Sequence, residues 1–372
     1  MTMLRDFQIV VSLGWLFLAA LLGTLLRWHQ VWPVEGLVYP YWLHAHSHLA
    51  FLGWLFNAFF VIFTSGLSGE SDRSARKLFV WLQLPLLGMA ISFPMGGYSS
   101  LSIVFSTLHI VLAWFFAWRW LGKWQKELSG SWLSTARLAM WFMVLSNLGP
   151  FMVGAAQATQ NRWLYDNALH YYLYFQYAGF FSFAALAAVQ QFFKADWTVL
   201  HRPLLCWVIG FYLFLACLPQ VWWLALLLVP VWGWWFFGKA FKAIKLPVKP
   251  VLWKLIVIAF LLKWTFEALY LLPQLYSWAK GIRSLQIGYM HLYFLGVVSP
   301  TILLLWFRSP FLQLWWVVVA AITLLLLLLS PWLLPLAGWE FMAGAYMVGA
   351  LLLLVATTLF FYKRLNLLLW KP

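Results

Sequence analysis

Twelve apolar runs of span length follow one another along the chain, at about 7–28, 41–65, 78–97, 99–120, 134–158, 166–193, 203–218, 220–240, 251–272, 284–307, 311–330 and 338–362. A hydrocarbon core about 30 Å thick is crossed by roughly 20 helical residues, so each run is of the right order to span it. Inside lipid every backbone polar group must find its partner within the protein, which leaves the helix or the closed barrel. Continuous apolar runs of this length select the helix. Of the 372 residues, 65% are hydrophobic and 9% charged. A soluble surface needs about a quarter of its residues charged, so lipid is the solvent here. The predicted fold class is an all-α polytopic membrane protein of about twelve transmembrane helices, with residues 1–372 forming a single transmembrane domain. The run after Arg5 lacks a small-residue cleavage site and reads as a first span, not a cleavable leader.

The net charge of +15 raises the question of nucleic acid, but the cations sit in short loops between apolar runs. Of the 24 Lys and Arg residues, 19 fall on the side that holds both termini, four (Arg27, Arg162, Lys280 and Arg283) on the other, and Lys263 inside the ninth run. Positive charge marks the cytoplasmic side, so an even number of spans with both termini cytoplasmic is expected, and no nucleic-acid partner. Cys206 and Cys217 lie in one apolar stretch and read as buried thiols rather than a disulfide framework.

Topology sorts the histidines. His44, His46 and His48, in the run HAHSH, stand near the outer end of the second span, His170 near the outer end of the sixth, and His291 in the tenth. At 1.5 Å per residue, His48 and His291 reach roughly 12 Å and 10 Å into the membrane, a matched depth. Ionisable side chains inside spans are costly and mark function or a partner. Neutral imidazole is a ligand for heme iron, copper and zinc. His44 and His48 share one helix face, and His46 points roughly opposite. The ordinary alternative is that the shallow pair His44 and His46 are satisfied by interfacial water and backbone. His109, near mid-membrane in the fourth span, reads as a packing residue and His201 as a loop residue.

Glycines follow the deep histidines, Gly53 after His48 and Gly296 after His291. They admit either a flat macrocycle or a neighbouring helix. In the ninth run Lys263 and Glu267 stand at i, i+4 and are expected to form an ion pair. Arg162, Lys280 and Arg283, on the cation-poor side, would meet heme propionates or lipid headgroups.

With these residues in view, the chain resembles subunit I of the heme–copper oxidases and their nitric oxide reductase relatives. The segment YWLHAHSHLAFLGWLFNAFF (41–60) is similar to the second-helix signature of the NnrS-type heme- and copper-containing membrane proteins, and GYMHLYFLGVVS (288–299) to the tenth-helix segment of both groups. His170 and Tyr174 in LHYYLYFQYAGFF (169–181) echo a His-x-x-x-Tyr copper-ligand helix. The resemblance implies an oxidase subunit I-like bundle in the bacterial cell inner membrane, with a low-spin heme between His48 and His291. His44 or His46 stands as the alternative to His48. Two departures limit it. The run 203–218 holds no histidine pair, and Tyr289 stands where the family's tenth helix has a first histidine. Oxygen reduction at a binuclear centre is therefore not expected.

Three functions follow as expectations. The leading one is a membrane-embedded heme-binding protein, b-type cytochrome-like, serving electron transfer or a nitric oxide or gas response near the periplasmic face. Heme b and copper are the cofactors considered; His48, His291, Arg162 and Arg283 are the candidate cofactor-binding residues, and His44, His46, His48, His170 and His291 the candidate metal ligands. Its partners would be the lipid bilayer and an electron-donor protein or quinol, and an enzymatic role would make it an oxidoreductase. The second is a copper or zinc protein for metal handling or respiratory-complex assembly, using His44, His48 and His170. The third is a small-molecule transporter, against which stand the absence of a convincing repeat and the few polar mid-membrane positions.

Overall fold

The computed structural model describes residues 3–194, 196–202, 204–206, 208–209, 251–270 and 272–369. Among them there is no strand, and nine helices are long and apolar enough to cross a membrane. These are α1 (Met3–Val31), α2 (Tyr39–Thr64), α3 (Gly69–Gly96), α4 (Ser100–Gly122), α5 (Trp132–Ala158), α6 (Arg162–Phe193), α8 (Arg283–Trp306), α9 (Pro310–Leu328) and α10 (Trp339–Leu369). They coincide with the first six and last three apolar runs. The described residues are all-helical, as in a polytopic membrane protein. On the ninth run, α7 (Val251–Tyr270) has span length but carries Lys254, Lys263 and Glu267, which sets it apart from the nine. The seventh run lies largely, and the eighth wholly, outside the described residues; of the two cysteines expected to be buried, Cys206 is exposed at the edge of its apolar run and Cys217 lies outside the described residues.

The chain forms two compact units: Met1–Leu112 with Pro250–Val257 and Ile282–Pro372, and Ala113–Lys249 with Ile258–Gly281. In the first, α1 runs along α10 and α2. Arg364 Nη2 donates to Asp6 Oδ1 at 2.5 Å, and Thr24 Oγ1 donates to the Ala350 carbonyl at 3.2 Å. Trp15, Ala19 and Leu22 of α1 pack with Ala45 and Leu49 of α2 and with Leu86, Met89 and Phe93 of α3. Gly53 makes that approach feasible, because a Cβ there would stand 2.9 Å from Trp15. This glycine serves helix packing. Lower in the same wall, Gln83 Oε1 accepts from Trp15 Nε1 at 2.8 Å and from Asn57 Nδ2 at 3.2 Å. Buried polar groups are affordable in such a place only when paired in this way.

In the second unit α5 packs on α6. Phe142 stacks on Phe175 and Phe183 with centroids 5.5 and 5.4 Å apart, and Ser146 Oγ donates to Gln176 Oε1 at 2.6 Å. A Cβ on Gly179 would stand 2.5 Å from Phe142, so only glycine admits that ring. The expected ion pair forms in α7: Lys263 Nζ meets Glu267 Oε1 at 2.6 Å, with both residues buried.

Three helices change register midway. α2 passes into π-helix over Leu49–Phe56, α6 over Phe175–Phe181 and α8 over Phe294–Val298. These are the three helices on which the sequence places histidines near one depth. A π segment breaks the regular i→i−4 ladder at some cost, and such segments gather at functional sites.

Candidate functional site

The two sides of HAHSH meet different surroundings. Pro40 starts α2 where a missing N–H costs nothing, and the helix then runs unbroken through His48 into the π segment. On one side, His46 Nδ1–H donates to the Ala19 carbonyl of α1 at 2.8 Å. Its ring sits over Gly23, where a Cβ would stand 3.0 Å from His46 Cε1. On the other side, His48 Nδ1–H donates to the His44 carbonyl at 2.9 Å. The His48 ring lies 4.4 Å from Phe93, and the His44 ring 4.6 Å from Tyr98.

On α8, His291 Nδ1–H donates to the Ile287 carbonyl at 2.8 Å. A carbonyl oxygen only accepts, so in His46, His48 and His291 the Nδ1 carries the proton. In each neutral ring Nε2 is left with its lone pair, the state a metal ligand requires. His46 and Arg27 both lie within electrostatic reach of His291, and Arg27 is within reach of His46 as well. His48 instead neighbours His44 and His109. The structure thus brings His46, the alternative ligand on α2, toward His291, and turns His48 to the opposite face.

His46 and His291 make no ring contact or hydrogen bond with each other among the described residues. They are separated by more than contact, yet within reach. Both residues are half-buried. Beyond them α2 and α8 touch directly: Phe51 meets Phe294 with centroids 4.7 Å apart, and Trp54 Nε1 donates to Ser299 Oγ at 2.9 Å.

Arg27 and Arg283 sit beside this pair. Arg27 Nη1 donates to Gln30 Oε1 at 3.0 Å, and its Cζ lies 5.1 Å from the centre of the Tyr346 ring. Arg283 Cζ lies 5.4 Å from the centre of the Tyr39 ring, and Gln30 Nε2 donates to Tyr39 Oη at 3.3 Å. The two guanidiniums are within electrostatic reach of each other. Neither pairs with a carboxylate among the described residues. Two cations held together without an anion repel, and an anionic group between them would relieve that cost.

The other candidates belong to the second unit. Arg162 opens α6 with its side chain 93% exposed, 4.0 Å from Asp166. His170 is exposed, four residues ahead of Tyr174 and the π segment of α6. No three of His, Cys, Asp and Glu among the described residues come together as a metal site.

Three features escape a reading by topology alone. Arg27 counts there only as a loop-side cation. His109 is fully buried, its ring 5.0 Å from Phe56 and its Nε2 without a hydrogen-bond partner among the described residues. The hexapeptide pattern His-Leu-x-Phe-Leu-Gly occurs at 48–53 and again at 291–296. Each copy runs into a π segment, and that recurrence was the available signal. No protein-family model matches the chain, and no curated protein matches it by sequence.

Proposed function

We propose that this chain is a membrane-embedded heme protein, b-type cytochrome-like, that holds one heme between His46 of α2 and His291 of α8. The observation that carries the reading is the pair of imidazoles on separate helices. Each has Nδ1 committed to a backbone carbonyl, and each neutral ring is left with an unprotonated Nε2. Neither Nε2 has a hydrogen-bond partner among the described residues. Iron would satisfy both at once.

The surroundings fit the group. Arg27 and Arg283 would hold its carboxylates, each guanidinium steadied over a tyrosine face. Gly23 gives His46 room to seat its ring against α1. When bound, a heme with two imidazole ligands supplies one-electron chemistry. The residues of the chain orient the rings, fix the protonation of Nδ1 and keep bulk water away.

The wider assignment is a twelve-span, oxidase subunit I-like bundle in a bacterial inner membrane. Both termini would be cytoplasmic and the site near the periplasmic face. It is supported by the twelve apolar runs and by the 19 Lys and Arg residues on one side. The role is electron transfer or a nitric oxide response, with electrons supplied by a separate protein or by quinol.

The test is the absorption spectrum of detergent-purified protein from heme-replete cells, before and after dithionite. A low-spin spectrum with a sharp α band after reduction is expected, lost in His46→Ala and in His291→Ala. A folded but colourless protein would refute the proposal.

A further inference from the structure

Gln30 joins the surroundings of the two arginines into one polar chain. Arg27 Nη1 donates to Gln30 Oε1 at 3.0 Å. A guanidinium only donates, so the amide oxygen must face it. The amide nitrogen is thereby turned to Tyr39, and Gln30 Nε2 donates to Tyr39 Oη at 3.3 Å. In that bond the Tyr39 hydroxyl is the acceptor. Its own hydrogen is left for a further acceptor, and no hydrogen bond uses it among the described residues.

The chain has a fixed direction because it starts at a cation. Each bond polarises the next, which makes the Tyr39 hydroxyl a better donor than an isolated phenol. A second cation stands on the ring itself, with Arg283 Cζ 5.4 Å from its centre. Neither guanidinium has a carboxylate partner among the described residues. Glu35, the acid nearest in sequence to Tyr39, is exposed and makes no ion pair there. Three donors, two of them charged, are thus joined in one cluster that lacks an anion.

Helix geometry sets that cluster against the imidazoles. Tyr39 precedes His46 on α2 by seven residues, which is two turns, so both lie on one face. Arg283 precedes His291 on α8 by eight. The rise is about 10–12 Å in each case, of the order of the distance from a heme's iron to its carboxylates. We propose, resting on the heme reading above, that the Tyr39 hydroxyl is a third donor to the heme carboxylates beside Arg27 and Arg283, and that Gln30 aims it. Gln30 is a positioning residue, since it touches Arg27 and Tyr39 and acts through them.

The experiment reconstitutes heme-free, detergent-purified full-length protein with hemin or with hemin dimethyl ester, whose carboxylates are capped, and follows loss to apomyoglobin. With hemin, Tyr39→Phe keeps the ring beside Arg283 and removes only the hydroxyl. It and Gln30→Met should each lose heme roughly threefold to tenfold faster than wild type. The double variant should match the faster single, because both changes break one chain. Gln30→Glu accepts from Arg27 and from Tyr39 alike, turns the hydroxyl away, and should lose heme fastest. With the ester the differences should narrow to about twofold or less, since a neutral acceptor gives no charge assistance. A general loosening of the fold would affect both porphyrins alike. Equal hemin loss from wild type and Tyr39→Phe, or a difference of the same size with the ester, would overturn the assignment and leave a heme between His46 and His291 untouched. A folded wild type that takes up neither porphyrin would refute the heme reading, and this inference with it.

Discussion

His46 lies within electrostatic reach of His291, and each ring has its Nδ1 proton tied to a backbone carbonyl at 2.8 Å. For His291 that carbonyl belongs to its own helix, at Ile287. For His46 it belongs to Ala19 of α1, so a neighbouring helix sets the orientation of the ring. A ring steered from outside its own helix is held against rotation, which is what a ligand facing a fixed partner needs.

The basic pair predicts a difference between arginines. Charge-assisted hydrogen bonds contribute about 1.5–3 kcal/mol each, so Arg27→Gln or Arg283→Gln should weaken heme retention roughly tenfold or more. Arg162, exposed and beside Asp166, should tolerate the same change. Transfer of heme to apomyoglobin measures the loss rate. Equal rates in all three variants would separate the pair from the cofactor.

Gly53 predicts a packing defect. A side chain there must displace Trp15, whose atoms would lie 2.9 Å from the new Cβ, and overpacking costs about 1–3 kcal/mol. Gly53→Val should lower the melting temperature, and adding Trp15→Leu should restore part of it. A neutral Gly53→Val would mean that α1 and α2 do not approach as described.

The Lys263–Glu267 pair predicts non-additivity. Removing one partner leaves the other charge buried, at about 3–5 kcal/mol. Lys263→Met or Glu267→Met should each destabilise strongly, and the double variant should be more stable than either single. Additive losses measured by thermal unfolding would remove the coupling.

His201 lies outside the spans, hydrogen-bonded through Nε2 to Thr135. Burial holds its imidazole below the ordinary 6.5. The unfolded chain then binds its proton at a higher pH than the folded protein does. The stability tied to neutral His201 is present above about pH 6.5 and is lost as pH falls below it. Wild-type melting temperature should fall more steeply than that of His201→Asn between about pH 7 and pH 5. Parallel curves would exclude His201 as the origin.

Much of the scaffold was legible because it rests on local physics. Twenty apolar residues in lipid have to be helical, and nine of the runs appear as described spans. Lys263 and Glu267 were legible for a similar reason, since i, i+4 spacing alone brings them together. Which of His46 and His48 comes toward His291 was not. Both belong to one short helix, and depth does not separate them. What does is the Ala19 carbonyl and the notch at Gly23, on a helix some 25 residues earlier. Arg27 was hidden likewise: its position gives its side of the membrane, but not its proximity to Arg283. The π segments left only an indirect trace, the repeated His-Leu-x-Phe-Leu-Gly, because register within a helix depends on packing as much as on composition.

The central claim is that two imidazoles on α2 and α8 share one iron. Near-infrared magnetic circular dichroism of the oxidised protein tests it most directly, because its charge-transfer band reports the axial ligands. The account predicts a bis-imidazole band in wild type and in His48→Ala, absent in His46→Ala and His291→Ala. A band that survives in His46→Ala, or a wild-type band of any other ligand pair, would contradict it.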